Sequence, residues 1–354
     1  MEFGIFSLMD VRPEKGQTEV SSHENYLTQC EYAEQLGFDS VWFAEQRFFY
    51  EYSCSPAPEL MAAALSQRTK RVRMGFAATL PTYHHPIHMA GRIATLDILT
   101  KGRVEFGAGR GAQTLEGDVL GTRLEQSREI FAEHLEVLFK AWTQDKFTHD
   151  GVHFPIPKEI SIIPKPVQKP HPPVWVAALQ NDTVDVIAEM GHGLLLAAHY
   201  STFEEVKEFT ERYKERFAQA GHSHKPRIAV LTEVYVDTDM QKAREVAEEP
   251  YVWNGKYTGK LLVNLGKKPI KTYEAYYELA QAGGIPDDQM TFEALQKVRS
   301  IIVGDPDYCI EGVKAYASLG IDLLITWTQA GGMPHQKVMD SMRLFSEKVM
   351  PAVS

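Results

Sequence analysis

Cysteine is scarce: the 354 residues include three, Cys30, Cys54 and Cys309, far apart and with no C-x-x-C pair. That spacing indicates neither a disulfide framework nor a cysteine zinc site, and it fits a reducing compartment. A long basic run is also missing, and 37 Lys and Arg against 47 Asp and Glu leave a formal net charge of -10. The electrostatic footprint of a nucleic-acid binder is therefore absent. No apolar stretch approaches membrane length, and the opening "MEFGIFSLMD" carries an acid at its second residue, unlike a signal peptide. These absences predict a cytoplasmic protein whose partners are neither nucleic acid nor membrane.

What the chain has is core: 44% of residues are apolar and 24% charged, the balance of a globular enzyme-sized protein. The apolar period switches repeatedly between strand and helix. "EFGIFSL" reads as a strand and residues 25–36 as an amphipathic helix stopped by Gly37. "SVWFA" precedes a helix at 59–67, "VRMGFAATL" (72–80) a helix at 88–99, and "RVEFGAG" a helix at 125–142. After a stretch with seven prolines (143–173) the rhythm resumes: "VWVAAL" with 182–190, "GLLLAAH" with 203–220, "IAVLTEVYV" with 240–248 and "DLLITW" with 335–349. Eight strand–helix pairs in one domain, 1–354, predict a closed (β/α)8 TIM barrel with insertions after the fourth and seventh pairs. The second insertion, 250–299, is the expected active-site lid. In such a barrel the site lies at the C-terminal ends of the strands, where "VWFAEQRFF" places Glu45, Gln46 and Arg47.

Several motifs sit at those ends. "GAGRGA" (107–112) matches a dinucleotide fingerprint in form, but the fingerprint must open directly into a helix, and the glycine-interrupted "QTLEGDVLGTRLEQ" that follows predicts none before residue 125. "YHHPIH" offers His84, His85 and His88 with no acidic neighbour in sequence, so no metal site is assigned. Cys54 has no flanking base and reads as a packing residue. Arg110 and Arg128 could meet over a phosphate, because guanidinium forks pair with phosphate oxygens; surface salt bridges would suit them equally. "QNDT" (180–183) opens a helix and offers amides, a hydroxyl and helix-start N–H groups to an anion, or a simple cap.

The stretches "GFDSVWFAEQRF", "SPAPELMAAALSQRT", "MGFAATLPTYHHP", "LDILTKGRVEFGAGRG", "LGTRLEQSR", "IIVGDPDYCIEGV", "LGIDLL" and "SMRLFSEKVMP", in this order, resemble the bacterial luciferase-like flavin monooxygenase family, in particular its luciferase catalytic subunits. The resemblance implies a site for reduced FMN (FMNH2) at the barrel mouth. Arg110 and Arg128 match the residues that grip its phosphate, completed by Gln180, Asn181 and Thr183, with Gln180 in place of the family's serine. Ala77–Ala78 matches a cis peptide beneath the flavin ring, and Phe6 and Glu45 match residues of the same pocket. It also implies O2 activation through a C4a-hydroperoxide, a small, mainly apolar organic substrate, a separate flavin reductase, and a homodimer or a heterodimer with a homologue. Gln46 stands where the light-emitting enzymes have an acid–base histidine, and Gly109 where they have a cysteine. An amide does not titrate near neutrality, so Gln46 is expected to orient rather than to exchange protons. Deazaflavin-dependent hydride transfer, or flavin binding without catalysis, are the other functions this pattern allows.

Overall fold

The computed structural model describes every residue except 112, 266–273, 282, 283 and 354. Strands β1 (Glu2–Ser7), β2 (Ser40–Phe43), β3 (Arg73–Phe76) and β4 (Val104–Ala108) precede an antiparallel hairpin, β5 (Phe147–His149) and β6 (Ile156–Ile160). Then come β7 (Val174–Ala177), β8 (Gly193–Ala197), β9 (Ile228–Val236), β10 (Ile301–Gly304) and β11 (Leu323–Gln329). The parallel order β9-β11-β1-β2-β3-β4-β7-β8 closes on itself because β8 also pairs with β9, and this is the eight-stranded TIM barrel expected. β10 pairs only with the outer end of β9, from Glu233 to Val236.

The α-helices are α1 (Glu19–Leu36), α2 (Pro58–Ser66), α3 (Pro86–Thr100), α4 (Thr114–Leu120), α5 (Ser127–Thr143), α6 (Asn181–Met190), α7 (Phe203–Ala220), α8 (Met240–Leu265), α9 (Glu274–Gln281), α10 (Phe292–Lys297), α11 (Pro306–Ser318), α12 (His335–Leu344) and α13 (Met350–Val353). Local chemistry sets many of their ends. Thr18 and Thr202 close capping boxes at α1 and α7, and Gly37 and Gly221 end the same helices in the left-handed conformation.

Four sequence expectations need correction. Strand 72–80 ends at Phe76, where the cis Ala77–Ala78 peptide follows, and Thr79 then meets β4 again only as an isolated parallel bridge to Ala108. The segment after "GAGRGA" does contain a helix, α4, which stops at Gly121 (φ 76°). The helix expected at 240–248 continues through Pro250 to Leu265, so the first part of the 250–299 insertion is a packed helix. Finally, β10 and α11 form an additional strand–helix unit between the seventh and eighth barrel strands.

The N-terminal half of the barrel is filled by tryptophan set against glycine. Trp42 on β2 donates from Nε1 to Ser40 Oγ at 2.8 Å, and Trp175 on β7 donates to Glu105 Oε2 at 2.7 Å. The two rings meet edge to face with centroids 6.0 Å apart. A Cβ on Gly75 would overlap Trp42, one on Gly4 would overlap the Ser40 hydroxyl beside Trp42, and one on Gly193 would overlap Trp175. Gly107 is the tightest position, since its Cβ would run into the carbonyl oxygen of Phe76 on the neighbouring strand.

Gly107→Ala is accordingly expected to cost about 3 kcal/mol or more, because backbone rather than a rotatable side chain must give way. Gly91→Ala, inside α3 with nothing within 4 Å of the added Cβ, should stabilise by up to about 1 kcal/mol through helix propensity. Urea unfolding midpoints of the two variants test the contrast.

Candidate active site

The upper half of the barrel is hollow. A cavity at the C-terminal strand ends encloses about 1260 Å3 with its open mouth included. β1 contributes Phe6 to its wall, the loop after β2 contributes Ala44, Glu45 and Gln46, and the loop after β3 contributes Ala77, Ala78 and Leu80. The turn after β4 adds Gly109, Arg110 and Glu116, the turn into α6 adds Gln180 and Thr183, and β8 and its extension add Ala197, His199 and Tyr200. Trp327 of β11 and Leu262 of α8 close the far side. Small residues dominate one wall, and a Cβ at Gly109 would come within 3.2 Å of the Ala78 Cβ. The Ala77–Ala78 peptide is cis, as the resemblance implied. It is tied to the end of β2 and the loop that follows: Ala77 N–H donates to Phe43 O at 2.8 Å and Ala78 O accepts from Glu45 N–H at 3.2 Å.

Glu45 is buried, with a side chain 3% exposed, and it is fully engaged. Oε2 accepts from Leu80 N–H at 2.9 Å, while Oε1 accepts from His84 Nε2 at 2.6 Å and from Arg47. Burial works to raise its pKa, but the His84 hydrogen bond and charge, together with Arg47, prevail and hold the carboxyl below its ordinary value. The acidic partner that sequence proximity did not supply to His84 thus comes from 39 residues away. Glu45 behaves as a clamp on the β2 loop. Gln46 donates its backbone N–H to Ser55 O at 2.9 Å, and its side-chain Oε1 is buried with no hydrogen-bond partner among the described residues.

Phe6, Glu45, Gln46, Ala77, Ala78, Arg110, Gln180 and Thr183 come together in this one cavity. Arg128 and Asn181 stand outside its lining. Arg128 pairs with Asp182 at 3.7 Å on the surface, and Asn181 donates from Nδ2 to Glu208 at 3.1 Å. Both flank the start of α6, where Gln180 makes no side-chain cap, so helix-start N–H groups there stay available to an anion. Cys54 donates its thiol hydrogen to Met9 O at 2.9 Å, and burial pushes its pKa up to about 11, consistent with a packing role.

Glu116 escaped the sequence reading. It lies in the first turn of α4, a helix that glycine interruption had concealed. His199 packs its ring on Trp327 at 5.0 Å, and burial lowers its pKa to about 3, leaving a neutral imidazole. The approach of α8 was hidden too. Tyr52 stands 3.3 Å from Thr258 and Asn254 donates to Glu233 at 2.5 Å, while Arg12 bonds Glu249 at 2.6 Å. These contacts hold the helix across the mouth.

A parallel barrel whose strand ends wall a deep, mainly apolar cavity with a few convergent polar groups defines an enzyme of the TIM-barrel class. The family model for luciferase-like monooxygenases matches residues 1–323. The oxygenase component of the flavin-dependent trigonelline monooxygenase of Acinetobacter baylyi is 26% identical over 362 residues, covering 100% of this chain and 96% of that protein. The alkanal monooxygenase alpha chain of the Kryptophanaron alfredi symbiont is 26% identical over 357 residues, covering 99% and 98%. Among solved structures, a Streptomyces bottropensis monooxygenase superposes with a TM-score of 0.81 at 26% identity, each chain covered in full (100%). The chain belongs to the luciferase-like monooxygenase family. It is therefore an oxidoreductase of the monooxygenase kind, built to work with a flavin. No described helix is long and apolar enough to cross a membrane.

The Glu45 clamp has a pH signature. Its folded pKa is depressed, so the stabilisation is complete above the ordinary carboxylate value of 4.5 and is lost as pH falls through the lower folded value. Urea midpoints measured from neutrality downward should fall more steeply below about pH 4.5 in the wild type than in Glu45→Gln. Parallel curves would show that the clamp carries no net stability.

Proposed function

We propose that the chain binds reduced FMN at the barrel mouth and uses O2 to insert one oxygen atom into a mainly apolar organic substrate. The observation that carries this reading is the composition of the cavity at the strand ends: Arg110 and the uncapped start of α6 at one edge, a wall of small residues along the cis Ala77–Ala78 peptide, and the buried acceptor Gln46 Oε1. A phosphate is held by guanidinium and helix-start N–H groups, and a flat tricyclic ring needs a smooth slot with a few hydrogen-bonding groups. The residues present fit both ends of such a molecule.

Bound reduced flavin would supply the electrons that activate O2, by the route the family resemblance implies. The chain's own part is positional. Arg110, Gln180, Thr183 and the Asn181 backbone would seat the phosphate, and Arg128 would join them by exchanging its long surface contact with Asp182 for the phosphate. Phe6, Ala77 and Ala78 would bed the ring, and Gln46 would orient the reacting groups. Glu45 would act through its clamp on the loop that carries Gln46. Tyr52, Leu262 and α8 would limit water, which protects an activated oxygen from wasteful release as H2O2.

The Acinetobacter relative's designation as an oxygenase component supports a separate reductase as the source of reduced flavin. Leu60 on α2 and Ile98 and Leu99 on α3 are exposed apolar side chains, which supports pairing with a second copy or a homologue through those helices. The Leu262 wall contact supports a lid role for the 250–299 insertion, of which 266–273, 282 and 283 lie outside the described residues.

Anaerobic titration with FMNH2 and with reduced deazaflavin, followed by admission of O2, tests the reading. FMNH2 should bind more tightly, and its reoxidation should be slower bound than free. Preference for the deazaflavin, or bound FMNH2 inert to O2, would overturn it. Arg110→Ala should weaken FMN binding by about one to two decades, the loss of one charge-assisted contact, while leaving riboflavin affinity unchanged. Equal losses for both ligands would remove Arg110 from the phosphate seat.

A further inference from the structure

A histidine at position 46 could carry a proton during oxygen transfer, but Gln46 cannot. Some other group on the cavity wall must then do so. The titratable side chains that line the cavity are few, and the structure disposes of most of them. Arg110 stays charged. Tyr52 and Tyr200 are pushed upward by burial, and His199 is pushed down to about 3. Glu45 has both oxygens committed to Leu80, His84 and Arg47.

Glu116 is different. Its side chain is 1% exposed, it lines the same cavity as Gln46, and its Oε2 is buried without a partner among the described residues. Oε1 accepts the backbone N–H of Arg47 at 3.0 Å, so the carboxyl is held in place by one oxygen while the other is left for chemistry. Burial raises its pKa to about 7 against the lowering pull of the Arg47 N–H and charge, with Glu45 adding a smaller raising contribution. The charged and titratable groups around it are Arg47 and Glu45 from the β2 loop, His84 behind Glu45, Arg110 from the β4 turn, and the exposed Asp118 on its own helix. The Arg47 guanidinium, 4.0 Å away at Nη1, is shared with Glu45 and does not fix Glu116 as a carboxylate.

We infer that Glu116 is the proton-carrying residue of oxygen transfer in this chain, taking the acid–base place that an amide at position 46 leaves open. This rests on the flavin-monooxygenase reading above. Over one turnover two electrons and two protons pass from reduced flavin to O2; one oxygen atom enters the organic substrate and the other leaves as water. Glu116 gives its proton to the departing oxygen and regains one from the pair that the flavin releases, so the carboxyl ends the cycle as it began.

The test compares wild type, Glu116→Gln and Glu116→Asp. Infrared spectra of the protein without flavin should show a carboxylic-acid carbonyl band that disappears as pH rises through about 7 in the wild type and is missing from Glu116→Gln. Bands from Asp10 and Glu233, which burial raises to about 7 and about 8, should persist in that variant. Stability gives a second readout independent of flavin. The folded protein keeps the Glu116 proton up to about 7, whereas the unfolded chain releases it near 4.5, so the wild type loses stability as pH rises between those values and Glu116→Gln escapes that loss.

With FMNH2 and O2 as the probe, the wild-type reoxidation rate should inflect near pH 7. Glu116→Gln should bind FMN equally well, lose the inflection, and slow by roughly 10²-fold or more. Glu116→Asp should restore a titration at a shifted pH. A wild-type infrared spectrum that lacks the Glu116 band, or a Glu116→Gln enzyme that keeps its rate and inflection, would overturn the assignment while leaving the flavin reading intact. Failure of the wild type to bind FMNH2 would overturn both.

Discussion

The interior of a closed eight-stranded barrel must be filled, and here it is filled unevenly. An eight-strand barrel encloses just enough space for its inward side chains. In the lower half Trp42 and Trp175 take that space, and Gly4, Gly75 and Gly193 yield it. Above them the inward positions become small, with Ala44, Ala77, Ala78, Gly109 and Ala177 on the wall, and the volume they leave is the cavity. A solid floor and a hollow mouth are thus two consequences of one volume constraint. The floor also fixes the strand register that delivers Glu45, Gln46 and Arg110 to the same level.

Charge at the mouth follows the supply of donors. Four buried carboxyls stand in or near it, and each has a burial penalty to offset. Glu45 has the Leu80 N–H, His84 and Arg47, and it stays ionised. Glu233 has Asn254, and Asp10 has the Gly332 N–H; burial prevails at both and their pKa values rise to about 8 and about 7. Glu116 lies with this second group. The position of α8 depends on the same network, because Asn254 anchors that helix to Glu233 on β9 while Arg12 anchors it to the β1 loop through Glu249.

Much of the fold was legible in the chain. The alternation of apolar period placed the eight barrel strands and bounded α7 at Phe203 and Ala220. The misses have local explanations. β10 is a four-residue apolar run that periodicity alone cannot separate from a buried helix segment. Pro250 reads as a helix breaker, yet α8 passes through it because Tyr251, Asn254, Thr258 and Leu261 are buried against the barrel top, and that packing outweighs the lost N–H. Glycines at 117 and 121 obscured α4, although only Gly121 actually ends it.

The alternation of apolar period was enough for the barrel class and for placing Glu45, Gln46, Arg110, Gln180 and Thr183 at the strand ends, because a parallel barrel brings all its C-terminal strand ends to one face. Phe6 and the Ala77–Ala78 step came from the family resemblance alone. What each can do there depends on contacts made in three dimensions. Glu45 is charged because His84, 39 residues on, reaches it, and Glu116 is held because the Arg47 N–H, 69 residues back, meets one of its oxygens. Arg128 and Asn181 turn toward Asp182 and Glu208 instead of the cavity. Protonation and orientation depend on burial and on hydrogen-bond partners, and those partners come from segments of the chain that no local pattern joins.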